Sequence, residues 1–177
     1  MTNYRRNVVS GATYFFTVNL ADRRQSLLID NIDALRAAFR ETRSRHPFAI
    51  EAIVVLPDHL HAIWTLPEGD GDFAMRWSLI KARFSRTVPG GEPVSESRRG
   101  RRERGIWQRR YWEHTIRDEN DFVRHVDYIH FNPVKHGYVK NAADWPFSSF
   151  HRMVRQGLYP ADWAIGVTDV EGDFGER

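Results

Sequence analysis

Apolar and polar residues alternate along this chain with two periods, and the change of period marks its elements. Ala12–Leu20 reads ATYFFTVNL, aromatic and β-branched, and predicts a strand. Ala21–Arg24 is a polar connection. Over Asp30–Arg45, Ile32, Leu35, Ala38 and Phe39 recur at helical spacing, with Asp30 or Asn31 as the cap and Pro47 beyond the end. Phe48–Leu56 predicts a second strand. Pro57-Asp58 is a tight turn, so the next strand returns antiparallel as a hairpin. Pro67–Gly71 is a loop. Asp72–Val88 predicts a second helix with Phe73, Trp77, Ile80 and Phe84 on one face. Tyr111–Arg117 is a fourth strand, and Asp118–Asn132 a third helix stopped by Pro133. The order β-α-β-β-α-β-α predicts an α+β fold, a ferredoxin-like βαββαβ sandwich with an extra C-terminal helix.

The hairpin strand carries the first candidate chemistry. In Val54–Leu66, VVLPDHLHAIWTL, residues two apart share a face. His59 and His61 therefore project together, with Ile63 and Thr65, while Leu60, Ala62, Trp64 and Leu66 form a core face. Two neutral imidazoles side by side can hold one divalent cation. The competing reading is a pair of ordinary strand histidines.

On the third helix, Phe122, Val126 and Ile129 form an apolar stripe. Asp121, His125, Tyr128 and Asn132 form a second stripe about 100° away. Tyr128 is thus off the apolar stripe. Asn132 precedes a proline, so helix termination accounts for it; its amide oxygen could equally complete a metal site begun by His59 and His61.

Composition adds limits. The chain has 177 residues, 41% hydrophobic, enough for one domain with a real core. There is no cysteine, which excludes disulfides and thiolate metal sites. No apolar run approaches the ~20 residues of a membrane span, and no signal peptide is recognisable, so a cytoplasmic location with no membrane partner is expected. Charge is uneven. Arg98, Arg99, Arg101, Arg102, Arg104, Arg109 and Arg110 crowd into thirteen residues with one acid, Glu103. Such a run beside aromatics suggests a phosphate-rich partner, against a merely solvated loop. We take residues 1–165 as a single domain, 89–105 as a mobile Arg-rich loop and 166–177 as a disordered acidic tail.

The combination of PDHLHAIWTLP with DYIHFNPVKHGYV resembles the REP-associated tyrosine transposases, a branch of the single-tyrosine HUH transposases. The likeness runs through GATYFFTVNL, RWSLIKARFSR, GIWQRRYWEHTIRD and DWPFSSF, nearly the whole chain. It implies a ferredoxin-like catalytic domain with the tyrosine on the extra helix. Carried over by residue, it makes Tyr128 the nucleophile, His59 and His61 metal ligands, and Asn132 the third ligand. It favours Mg²⁺ or Mn²⁺; the donor set suits Mn²⁺ by softness. It implies single-stranded DNA near a short palindromic hairpin as substrate, cut and rejoined through a 5′-phosphotyrosine. His125, His130 and a metal-bound water stand as candidate bases. The resemblance leans toward a monomer, with a weak homodimer as the alternative.

For DNA binding the candidates are the seven arginines, Lys81, Arg83 and Arg86 on the second helix, Lys135 and His136 after the third, and Trp107, Tyr111 and Trp112 as stacking platforms. At least one of Trp107 and Trp112 is expected in the core. Three alternatives compete with the transposase reading. These are a domesticated protein that binds hairpins without cutting them, a metal nuclease that uses water, and a structural nucleic-acid-binding domain.

Overall fold

The computed structural model describes residues 7–90, 94–101, 103–164 and 174–175. The strands are β1 (Thr13–Asn19), β2 (Ala49–Val55), β3 (His59–Thr65) and β4 (Trp112–Thr115). The main helices are α2 (Ile32–Arg45), α3 (Phe73–Thr87) and α5 (Glu119–Lys135); α1 (Leu27–Asp30), α4 (Glu96–Arg99) and α6 (Phe150–Arg155) are short. All strand pairs are antiparallel, in the order β2-β3-β1-β4, which is the ferredoxin-like arrangement expected from the pattern.

The alternation along β1 and β3 decides the layers. Tyr14, Phe16 and Val18 join Leu60, Ala62 and Trp64 on one face, under α2 and α3. Trp77 of α3 stacks on Trp64 with centroids 4.1 Å apart, a geometry contributing about 0.5–1.5 kcal/mol beyond the area it buries. Phe15 and Ile63 turn to the other face, under Val126, Tyr128 and Ile129 of α5. The extra helix thus makes a third layer, and the histidine-bearing face is a second interior.

Local chemistry sets the element ends. Asp72 caps α3 by accepting from the Met75 amide at 2.9 Å. Asp118 caps α5 in the same way, from the Asp121 amide at 2.8 Å. Asn31 occupies the expected cap position of α2, yet its side chain donates to Leu27 O at 3.0 Å instead. Helix α5 does not stop before Pro133. It continues to Lys135 and ends at Gly137, whose φ of +71° suits glycine. Proline removes one internal bond and crowds the carbonyl of Ile129, and the helix runs on through it with Phe131, Asn132 and Pro133 all buried. This places Lys135 on the helix itself.

The outer edge of β2 is covered, which removes an open pairing edge. Val55 N donates to Phe147 O and Ser149 N to Ile53 O, each at 2.8 Å, and Trp145 Nε1 donates to Val55 O at 2.9 Å. The DWPFSSF stretch is therefore a structural edge cover. The segment expected to be a mobile loop contains α4 and is tied to α3, as described below. Most of the expected tail lies outside the described residues, but Phe174 is packed inside, 5% exposed. Among the described residues no helix is long and apolar enough to cross a membrane.

Candidate active site

The site forms where α5 crosses β1 and β3. Register places Thr17 of β1 opposite His61, and Asn19 opposite His59. His61 Nδ1 lies 2.8 Å from Thr17 Oγ1. That hydroxyl donates its proton to Phe174 O at 2.7 Å, so it accepts from His61. His59 Nδ1 lies 2.7 Å from Asp58 Oδ1, and Arg23 holds the other oxygen of the same carboxylate. Burial raises the Asp58 pKa, but the bonds from His59 and Arg23 outweigh it and hold the group at about 2. An ionised carboxylate only accepts, so His59 also carries its proton on Nδ1. Both rings then bear their lone pair on Nε2, the tautomer of a metal ligand with an oriented outer shell.

The two imidazole centroids are 5.0 Å apart. Tyr128, on α5, sits 5.2 Å from the His61 ring and edge-on to it. Asn132 lies one turn further along α5 and is fully buried. The structure therefore brings His59, His61 and Tyr128 together and places Asn132 on the same helix, with an oxygen donor suited to a hard cation. The second stripe is buried because α5 is covered on two sides, by the sheet and by Phe174. Phe174 stacks on Tyr128 with centroids 3.6 Å apart and planes at 12°. Tyr128 is 0% exposed.

Two basic residues stand at this site rather than on a separate track. Lys135 Nζ lies 3.2 Å from Tyr128 Oη and 4.7 Å from its ring centroid. The His136 ring is 5.2 Å from that of His59. The candidate bases point elsewhere. His130, about 200° round the helix from Tyr128, contacts Ser149 Oγ at 3.0 Å. Burial and then Arg152 hold its pKa at about 3. His125 Nδ1 donates to its own helix carbonyl, Asp121 O, at 2.7 Å.

A further group escaped the sequence reading. His114, Asp121 and His125 bring three ligand-type atoms within 4.8 Å of one another. Asp121 Oδ2 already accepts from His114 Nε2 at 2.8 Å and from the Arg117 amide at 3.0 Å. Arg124 stands 3.7 Å from Oδ1. Burial raises the pKa of this carboxyl, but the bonds from His114 and the Arg117 amide overcome it and hold the group at about 2. With two arginines at the carboxylate, the group is better satisfied as a lock between β4 and α5 than as a cation cradle. The i,i+4 spacing of Asp121 and His125 was legible; the side-chain contact that brings His114 of β4 beside them was not.

The arginine segment folds against α3 and encloses a groove of about 680 Å³, lined among others by Lys81, Arg86, Arg98, Arg101 and Tyr111. Several predicted DNA contacts have structural partners there. Trp107 is 7% exposed and packs edge-on against Phe84, so its face is in the core and unavailable for stacking. Arg83 pairs with Glu41 of α2 at 3.2 Å, because it lies on the α2-facing side of α3. Arg104 donates to Ser85 O, Val88 O and Pro89 O, and so caps the C-terminal end of α3. Arg98 donates to Trp107 O at 3.1 Å, Arg99 to Val94 O at 3.3 Å, and Arg109 to Glu103 at 2.8 Å. Arg86, Arg101 and Arg110 are exposed, and Trp112 is half-buried. Arg102 lies outside the described residues. Lys81 donates to Gln108 O at 3.0 Å. Gln108 N in turn donates to Asn19 O, opposite His59. The groove and the histidine pair thus meet at one end of the sheet.

Comparison with known proteins agrees with the fold. A REP-associated tyrosine transposase of Escherichia coli K12 is 50% identical over 100% of this chain and 98% of its own length. A Haemophilus influenzae relative is 49% identical over 98% of this chain and 100% of its own. A solved REP-associated tyrosine transposase bound to a REP hairpin superposes with a TM-score of 0.85 at 49% identity, covering 100% of this chain and 98% of that one. No family model matches the chain.

Proposed function

The chain belongs to the REP-associated tyrosine transposase family, and we propose that it cuts and rejoins single-stranded DNA beside hairpins through a covalent bond to Tyr128. One observation carries the reading: a tyrosine from α5 stands beside two strand histidines whose Nδ1 protons face Asp58 and Thr17. In the step we infer, Tyr128 Oη bonds to a backbone phosphorus and the P–O3′ bond breaks. The phenol loses a proton and the departing 3′-oxygen gains one. The product is a 5′-phosphotyrosine, which conserves the bond energy, so a 3′-hydroxyl can reverse the step on the same or another strand. His59, His61 and Asn132 would hold Mg²⁺ or Mn²⁺. Bound there, the cation would supply Lewis-acid stabilisation of phosphate charge, undiminished by a ligand set that carries none.

Hairpin DNA is the partner that the hairpin-bound relative supports. The groove beside Arg86 and Arg101 supplies positive charge at the end of the sheet that holds the histidines. His59, His61 and Tyr128 come from one chain, which supports action as a monomer. Phe174 on Tyr128 favours a second reading, a hairpin-binding protein whose cutting is held low.

Covalent trapping separates the two readings. Hairpin DNA with a single-stranded flank, labelled 3′ of the cut, is incubated with protein and Mn²⁺ and run on a denaturing gel. A metal-dependent protein–DNA band, absent from Tyr128→Phe, is expected. Binding with no band across several hairpins would leave the hairpin-binding reading standing. Cleavage without a band, retained in Tyr128→Phe, would mean that water is the nucleophile.

A further inference from the structure

We propose that Lys135 is a catalytic residue, which donates a hydrogen bond to the reacting oxygen of Tyr128; the role rests on the covalent reading above. A lysine placed only to hold DNA would point its ammonium away from the protein, at a phosphate. This one turns back. Its Nζ is 3.2 Å from Tyr128 Oη and lies over the same ring, 4.7 Å from the centroid. The approach follows from helix geometry. Residues seven apart differ by about 20° around a helix, so Tyr128 and Lys135 share a side two turns apart. The helix has to continue through Pro133 for this to hold, and it does. His125 and His130, the imidazoles of the same helix, are turned to Asp121 O and Ser149.

The chemistry needs a donor at this atom. As Tyr128 Oη attacks phosphorus its O–H bond weakens and negative charge develops on it. When a 3′-hydroxyl later attacks the phosphotyrosine, the same oxygen leaves and carries negative charge again. Lys135 stays an ammonium throughout and takes no net proton. It stabilises Oη in both directions through a charge-assisted bond. The proton that leaves the phenol in cleavage is balanced by the one gained on the 3′-oxygen, and joining runs the exchange backwards.

The test compares full-length wild-type protein with Lys135→Met, which keeps the aliphatic stem, and Lys135→Arg, which keeps a cationic donor. Single-turnover adduct formation is measured at saturating hairpin DNA with Mn²⁺, and hairpin affinity at several salt concentrations. Removing one donor from a developing oxyanion in an enclosed site costs about 10²–10³ in rate. For a lysine open to solvent, Lys135→Met is expected to slow adduct formation, and rejoining from the isolated adduct, about 10- to 100-fold. Lys135→Arg should recover part of each rate. Hairpin affinity and the log–log salt slope should stay at wild-type values. A phosphate contact would give the reverse: a slope flatter by about one contact and an unchanged rate at saturation. That result, or a wild-type rate with a wild-type slope, overturns the role and leaves the phosphotyrosine reading intact. A wild-type protein that forms no adduct overturns both.

Discussion

Single residues here do what their hydrogen-bond partners permit. His59 and His61 share one tautomer because Asp58 and Thr17 accept hydrogen bonds from their Nδ1 atoms. Outer partners of this kind typically tune metal affinity 10–100-fold. Asp58→Asn is therefore expected to weaken Mn²⁺ binding to the DNA-free protein by about that factor, read by electron paramagnetic resonance, with hairpin binding unchanged. Equal Mn²⁺ affinity in the variant would remove Asp58 from the site. His130 has a different task. Its folded pKa of about 3 lies below the ordinary 6.5. The folded state refuses a proton that the unfolded chain accepts, so this contribution to stability is whole above pH 6.5 and declines as pH falls toward 3. Asp58 and Asp121, held at about 2 against 3.8, add losses only below about pH 4. By itself His130 should thus make stability, followed by urea denaturation, fall by up to about 1.4 kcal/mol per pH unit between pH 6 and 4.5, and His125, which burial also holds below its ordinary value, adds to the same limb. His130→Gln should flatten that limb, and an unaltered slope would exclude the histidine as its source.

At the scale of elements, the arginine segment divides into structure and surface. Arg104 closes the carbonyl end of α3, while Arg86 and Arg101 line the groove. Hydrogen bonds from a charged donor contribute about 1.5–3 kcal/mol each when buried; a half-buried guanidinium gives less. Arg104→Ala is expected to lower stability by about 1–2 kcal/mol and leave the salt slope of hairpin binding nearly unchanged. Arg86→Ala with Arg101→Ala should do the opposite, flattening the slope by roughly one to two contacts. Indistinguishable slopes for the double variant and wild type would take this groove out of the DNA interface. Helix α5 shows a similar division. One stripe packs on the sheet as a core helix would, and the next presents Tyr128 and Asn132 in the same interior.

Across the whole molecule, stretches far apart in the chain meet at the candidate nucleophile. Thr17 bonds Phe174, 157 positions away, and Phe174 covers Tyr128. Gly175 makes the approach possible. Its φ is +71°, and a Cβ there would come within 2.3 Å of Trp112. In the proposed reaction, with Tyr128 fully buried, DNA has to displace Phe174 before the hydroxyl is reached. Phe174→Ala should raise the rate of adduct formation several-fold, and Gly175→Ala should act in the same direction. Wild-type rates in both variants would mean that the aromatic cover opens faster than the chemistry proceeds.

Much of this was written in local pattern. Period-2 alternation places His59 and His61 on one face of β3 whatever the fold around it, because strand geometry alone decides it. Helical spacing put Asn132, four residues on, beside Tyr128. The succession of periods dictated a four-stranded sheet with helices between its strands. Other features depended on contacts distant in the chain, which no local period encodes. The depth of Tyr128 is set by Phe174 and the sheet together. The same length of Arg-rich chain holds Arg104 at carbonyls and Arg101 at a groove, although their surroundings in sequence are alike. Trp107 is a core residue because Leu20 pairs with it across the fold. Lys135 lies between these cases. Its spacing from Tyr128 was readable, but the helix had to continue through a proline, and only packing around Pro133 could determine that.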